Sequence, residues 1–362
     1  MHKQGLTSLA LQKFKKSSWG VFSFWFIVFM AFISVFAYVL APDSSQYANQ
    51  MHLSIHSKSP GFSVKMLTIP NPINEDQHFF NRLFLGDLNP AIEIPVSTHR
   101  FDSNHVYYTE YGSEGLKGLQ KSIKFSLDPT SSLQPFITQR TFYFGTDKYG
   151  RDLLSRILVG ARISFSIGFV AVFISLLIGL FLGSIAGYFG GKWDTLIMWV
   201  INVTWSIPTL LLVIAITLAL GKGFWQVFIA VGLTMWVEVA RIVRGQVMSV
   251  KELQYVTAAR ALGFTDFRII VKHILPNILA PVIVISAANF AAAILIESGL
   301  SFLGIGAQPP MSSWGAMIKD HYNYIILGKP YLALIPGLCI MSLVMAFMLI
   351  GNTLRDALDV KA

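Results

Sequence analysis

The chain has 362 residues and a single cysteine, Cys339. No intrachain disulfide can form, so a disulfide-stapled scaffold is excluded. Charge is scarce too. Only 13% of residues are Asp, Glu, Lys or Arg, against about 25% in average soluble domains. With 54% hydrophobic residues and a mean hydropathy of +0.57, the chain has more apolar surface than a water-soluble fold of this size can bury. Catalytic signatures are missing as well. The sequence contains no HExxH, no GxSxG and no GxxxxGK[ST]; the nearest approach to the last, GYFGGKW at 187–193, has the wrong glycine spacing and ends in Trp193. His52, His56, His78, His99 and His105 are scattered without metal-ligand spacing. No catalytic residue, cofactor-binding residue or metal ligand is therefore assigned, and the chain is not read as an enzyme. Within the apolar runs the only acidic residues are Glu238 and Glu297, both placed near the ends of their runs, so nothing resembles a proton relay.

What is present is a series of long uncharged runs: Ser17–Pro42, Ile163–Gly191, Thr195–Gly221, Ile274–Ile296 and Pro330–Leu354, with Gly223–Val237 a shorter one that Glu238 interrupts. Runs of about 18 or more apolar residues are the signature of spanning helices, and six spans follow. Ser298–Ile318 is also uncharged, but its glycines and the Pro309-Pro310 pair predict a loop with short helical pieces. The expected fold is an all-α polytopic membrane protein with a small extracytoplasmic insert. Its expected parts are an N-terminal amphipathic segment (1–18), a first transmembrane helix (19–41), an extracytoplasmic region (42–160), a five-helix core (161–354) and a tail (355–362).

Orientation is read from Lys and Arg in the short loops. With the N-terminus in the cytoplasm, segments 1–18, 188–194, 241–276 and 353–362 carry thirteen basic residues against five acidic ones, which is nearly the whole net charge of +9; segment 42–160 carries eleven of each. The basic excess is thus a topology signal rather than a nucleic-acid footprint. The apolar stretch from Trp19 to Leu40 is longer than the roughly 7–15 residues of a signal-peptide core, so the first helix is expected to be retained. Before it, LALQKFKK at 9–16 predicts an amphipathic helix on the inner surface. Between Pro42 and Arg140, frequent prolines and segments such as VYYTEYG (106–112) and IKFSLD (123–128) read as short strands and turns. Gly179, Gly183, Gly187 and Gly191 recur every four residues, a spacing that lets helix backbones approach closely. Pro208 is expected to kink the third span.

The loop 241–276 is too long for a simple connection, which takes about 2–8 residues between helices. Ser249 and Glu252 suggest a capping box for a helix starting at Val250. That helix carries Leu253, Val256, Ala259, Ala261 and Leu262 and ends at Gly263. A second amphipathic helix is expected from Asp266 to Leu275, with Pro276 opening the next span. On pattern alone, insertion into a partner's groove and lying flat on lipid are equally open.

YVTAARALG at 255–263, followed by HILPN at 273–277, resembles the EAA loop of bacterial ABC importer permeases. FGTDKYGRDLLSRILVGARISF (144–165), AGYFGGKWD (186–194) and ESGLSFLGIGAQPPMSSWG (297–315) narrow the resemblance to the "C" permease of the dipeptide/oligopeptide/nickel branch. It covers residues 144–362 and the first span. The resemblance implies a coupling loop that docks on an ATPase, made here by Ser249, Glu252, Tyr255, Val256, Thr257, Ala258, Ala259, Arg260, Ala261, Leu262, Gly263 and Asp266. Matching the family elsewhere are Gly145, Thr146, Asp147, Gly150, Arg151, Asp152, Arg156, Gly160, Arg162, Pro208, Leu300, Ser301, Phe302, Leu303, Gly304, Trp314 and Gly315.

The chain departs from the family pattern in three places. Thr257 stands where the family has its eponymous glutamate, Trp199 and Asn202 stand where relatives often carry Arg and Asp, and the insert at 42–140 is far longer than usual. The resemblance implies a peptide importer whose partners are a homologous "B" permease, two cytoplasmic ATPases that bind the ATP, and an extracytoplasmic solute-binding protein. No cofactor is expected on this chain, no nucleic acid, and contact with membrane lipid. The rival readings are a nickel or other small-solute permease, a permease for antimicrobial-peptide resistance, a secondary carrier, and a membrane-anchored binding module built on 42–140.

Overall fold

The computed structural model describes residues 6–71, 78–102, 105–112, 118–124, 135–221 and 223–358. The end of the expected IKFSLD strand (125–128) and the tail beyond 358 lie outside these residues. Helix α1 (Leu6–Lys16) precedes α2 (Ser18–Val35), and five strands follow: β1 (Phe62–Ile69), β2 (Ile92–Asp102), β3 (His105–Glu110), β4 (Gln120–Lys124) and β5 (Phe136–Phe142). Then come α3 (Leu153–Phe189), α4 (Gly191–Trp205), α5 (Thr209–Leu220), α6 (Phe224–Val250), α7 (Gln254–Ala261), α8 (Asp266–Phe302), α9 (Trp314–His321) and α10 (Tyr331–Leu358). Helices α2, α3, α6, α8 and α10 are long and apolar enough to cross a membrane, and α4 with α5 makes a sixth span if the bent pair counts as one.

That pair meets at a bend of 92°, far sharper than a kink. Proline cannot donate a backbone hydrogen bond, and its ring clashes with the preceding turn. Pro208 accordingly sits just before α5, and its carbonyl accepts from the Leu212 N–H at 3.1 Å.

Two sequence expectations are corrected in the following segments. Helix α6 carries on past the end of the apolar run and continues unbroken through Ser249 to Val250. Ser249 is therefore inside α6 and caps nothing. Helix α7 begins after Leu253 with no side-chain cap, and Glu252 completes no capping box. Likewise, the expected helix 266–275 is the start of α8. A π turn at Ile270–Ile274 and a 3₁₀ turn at Leu275–Ile278 carry the chain past Pro276 without ending the helix.

The chain forms two compact units. One comprises Met1–Met30, Ser164–Gln308 and Leu338–Ala362; the other comprises Ala31–Ile163 and Pro309–Gly337. The first is helical. The glycine stripe of α3 lies against the valine ridge of α6: a Cβ at Gly179 would stand 2.5 Å from Val239 Cβ, one at Gly183 2.8 Å from Val243 Cβ, and one at Gly187 2.8 Å from Val247 Cβ. Each glycine meets a valine four residues on, which is the close approach the spacing predicts. Elsewhere in this unit Phe290 stacks on Phe347 with ring centroids 4.0 Å apart.

The second unit holds an antiparallel sheet in the order β4-β3-β2-β1-β5. Its alternating strands bury Leu67, Val96, Val106 and Tyr108 together. The segment read as strands and turns is thus an ordered sheet, within which VYYTEYG supplies most of β3.

Candidate functional site

The loop after α6 forms a short platform. Helix α7 has eight residues, too few for an isolated helix to persist in water, so something else must hold it. One face is buried: Val256 and Ala259 pack with Tyr188, Val243, Val247, Ile269 and Ile274. Burying a valine side chain stabilises by about 1.5–3 kcal/mol. Its C-terminus is closed by the chain itself. The Gly263 N–H donates to the Arg260 carbonyl at 3.0 Å and the Phe264 N–H to the Ala259 carbonyl at 3.2 Å, with Gly263 at φ +75°. This is a Schellman ending, which needs the left-handed backbone that glycine adopts without strain.

Polar anchors flank the platform. The Lys251 Nζ donates to the Gly187 carbonyl at 3.0 Å, and the Tyr188 hydroxyl donates to Asp266 Oδ1 at 2.6 Å. The Arg260 guanidinium lies over the Tyr188 ring, 5.6 Å from its centroid. About two turns further into α6, Arg244 clamps Asp194 through Nε and Nη2, the latter at 2.6 Å. The loop is therefore tied to the α3–α4 turn at both ends. Asp194 and Arg244 were not singled out from the sequence. The only signal was that AGYFGGKWD ends in an acid and that a lone arginine repeats three residues after Arg241.

The exposed face carries Glu252, Tyr255, Thr257, Ala258, Ala261 and Leu262. Val256 and Ala259 are not part of it; their small volume serves packing within the chain. Thr257, the departure from the family glutamate, points outward beside Ala258.

The other motif residues gather into a polar knot in the sheet-bearing unit. Asp147 is fully buried and accepts from the Tyr149 and Arg151 N–H groups at 2.8 and 2.9 Å and from Arg151 Nε at 2.6 Å, with Arg156 Nε at 3.6 Å. Gly145 and Gly150 turn at φ +77° and +74°. Thr146 Oγ1 donates to the Ile55 carbonyl and accepts from the Lys58 N–H. Asp152, whose carboxyl is pushed up by burial, accepts from the Ser155 N–H at 3.0 Å at the start of α3. Trp314 is fully buried, its Nε1 donates to the Ile157 carbonyl at 3.0 Å, and its ring occupies the space a Cβ on Gly160 would need. Gly315 is buried beside it. Arg162 Nη1 donates to the Leu83 carbonyl at 3.0 Å and stacks over Tyr38 and Phe84.

Nearby, burial and then the Arg140 charge push His52 down to about 4, while burial pushes Glu93 up. Leu300, Ser301, Phe302, Leu303 and Gly304 end α8 in the helical unit. There Ser301 donates to Glu297 Oε1 at 2.7 Å and Gly304 turns at φ +80°. Among the described residues no group of His, Cys, Asp and Glu could hold a metal ion. These motif residues make buried hydrogen bonds, tight turns and packing contacts within the chain.

Residues 179–361 match the family described as binding-protein-dependent transport system inner membrane component, and residues 5–60 match the N-terminal TM domain of oligopeptide transport permease C. Among curated relatives, the dipeptide transport system permease protein DppC of Alkalihalophilus pseudofirmus is 44% identical over 219 residues, 60% of this chain and 72% of its own. DppC of Bacillus subtilis is 41% identical over 241 residues, 65% and 75%. The glutathione transport system permease protein GsiD of Escherichia coli is 42% identical over 219 residues, 60% and 72%. A chain of the inward-facing MetNI methionine ABC transporter aligns with 56% of this chain and 95% of its own, at 19% identity and a TM-score of 0.46. The chain belongs to the binding-protein-dependent transport system inner membrane components: it is a multi-pass inner-membrane ABC transporter permease, a transport component and not an enzyme.

Proposed function

We propose that this permease supplies half of the inward pathway for di- or oligopeptides and that α7 is its docking element for a cytoplasmic ATPase. One observation carries the reading: a helix too short to stand alone is held rigid by its own chain while Tyr255, Thr257, Ala258 and Leu262 remain outside. Ties at Lys251 and Asp266 would pass a push on that face directly into the α3–α4 turn. The full assembly adds a homologous permease, two ATPases that bind the ATP, and an extracytoplasmic binding protein. The relatives named for dipeptide and glutathione transport favour a peptide over the nickel, resistance and secondary-carrier readings.

In this assembly both termini and residues 241–276 face the cytoplasm, and 42–160 and 298–329 face outward. The sheet would then meet the partner permease or the docked binding protein. Ala258→Trp tests the docking face without touching the packed side of α7. The expected result is an intact permease pair that loses its ATPases or hydrolyses ATP without uptake. Full ATPase retention and normal uptake would rule α7 out. On a Cys339→Ala background, a cysteine at 254 should resist an impermeant reagent in intact cells and one at 107 should react.

A further inference from the structure

At the break between α4 and α5 a cavity of about 170 Å3 opens, lined by Trp205, Ile207, Thr209, Thr234, Glu238 and Ile296. Glu238 is its only charged group. It lies three residues before Arg241, where the cytoplasmic segment of the topology above begins, and its side chain is exposed in this chain. A carboxylate that lines a transporter's cavity calls for a cationic partner. Arg241, one turn on, is the natural partner and is engaged elsewhere. Its Nη2 donates to Asn202 Oδ1 at 3.0 Å and its guanidinium lies 3.6 Å over the Trp205 ring. Its Nε is buried without a partner. Among the described residues no hydrogen bond or ion pair reaches Glu238. Irregular backbone at membrane depth is tolerated where it lines a cavity, and broken helices are where transporters place polar ligand groups.

We propose that Glu238 receives an ammonium group of the transported solute, namely the free α-amine of a peptide. This deepens the peptide reading above and rests on it. The cavity is smaller than the roughly 300–1,000 Å3 of sites that enclose a whole small molecule, so it would take one end of the substrate and leave the rest in the pathway. Thr209, Thr234 and Trp205 line the same cavity, and Arg241 covers the Trp205 ring.

The test uses the complete complex in proteoliposomes with its binding protein, and two labelled peptides of the same sequence, one with a free N-terminus and one N-acetylated. Binding-protein affinity for each is measured separately and used to normalise uptake. Glu238→Gln should lower uptake of the free-amine peptide about tenfold, the scale of one lost charge-assisted contact. It should leave the acetylated peptide, basal ATP hydrolysis and ATPase retention unchanged, and Glu238→Asp should recover part of the loss. Equal loss for both peptides, or no loss for either, overturns the proposal. Separation of the two permeases on purification of Glu238→Gln also overturns it, because the carboxylate would then be an intersubunit contact. If the wild-type complex moves neither peptide, the peptide reading itself fails.

Discussion

The two units are held together by different chemistry. In the helical unit the long helices meet carbon against carbon, three glycines of α3 against three valines of α6 and Phe290 on Phe347, with charge confined to the Arg244–Asp194 clamp and the ties around α7. In the sheet-bearing unit they are charge against dipole, with the Asp147 carboxylate drawing in two N–H groups and two arginines. Lipid tails are as apolar as valine, so helices in a membrane gain little from the hydrophobic effect and rely on close packing. A unit with short strands and long loops has many backbone groups to satisfy, and a buried carboxylate satisfies several at once.

The sharpest way to break this contrast is at Asp147. Asp147→Ala leaves two buried guanidinium groups without their anion, which should cost about 3–5 kcal/mol. Thermal unfolding of the solubilised permease should show a large loss of stability. Gly183→Val should cost less, about 1–3 kcal/mol from overpacking, because its Cβ would fall 2.6 Å from the Ala240 carbonyl oxygen as well as against Val243. The expected readout is a loosened α3–α6 contact, seen as faster crosslinking or proteolysis in the helical unit alone. Gly263→Val meets no neighbouring atom within 4 Å, so its penalty is backbone strain only, about 1–2 kcal/mol for a left-handed residue. Limited proteolysis should show 250–266 fraying while global unfolding barely moves.

A pH dependence is expected in the sheet-bearing unit. His52 is depressed to about 4, so the unfolded chain takes up a proton at higher pH than the folded one. Stability should therefore fall as pH drops from about 6.5 toward 4. Glu93, raised by burial and 4.0 Å from His52 Nε2, acts in the opposite direction at the acid end. His52→Gln should remove the first trend and expose the second in a pH series of melting curves.

Much of this was legible in the sequence because membrane helices announce themselves by length and apolarity. The four-residue glycine spacing and the LG that closes α7 are local signals with local causes, and both were readable. The end of α6 was not. Glu238 and Ser249 looked like boundaries because charge and capping residues usually mark them, yet packing of Val239, Val243 and Val247 carries the helix straight through. The bend at Pro208 was visible as a kink, but its size depends on where α5 packs. Which face of α7 turns inward was hidden for the same reason: alanines at 258 and 259 are indistinguishable until Tyr188 and Ile269 are placed beside one of them. The Asp194–Arg244 clamp joins residues fifty apart, and no periodicity reports such a pair.

The Schellman ending of α7 has a consequence for how fast a partner can bind. Eight residues left to order on contact would each surrender about 1–2 kcal/mol of backbone entropy at the moment of binding. Here that ordering is complete before any partner arrives, because bonds from Gly263 and Phe264 close the helix and Val256 and Ala259 seat it. A protein meeting this surface finds a finished shape, so encounters need not wait for folding, and the affinity of the exposed side chains reaches the complex undiminished.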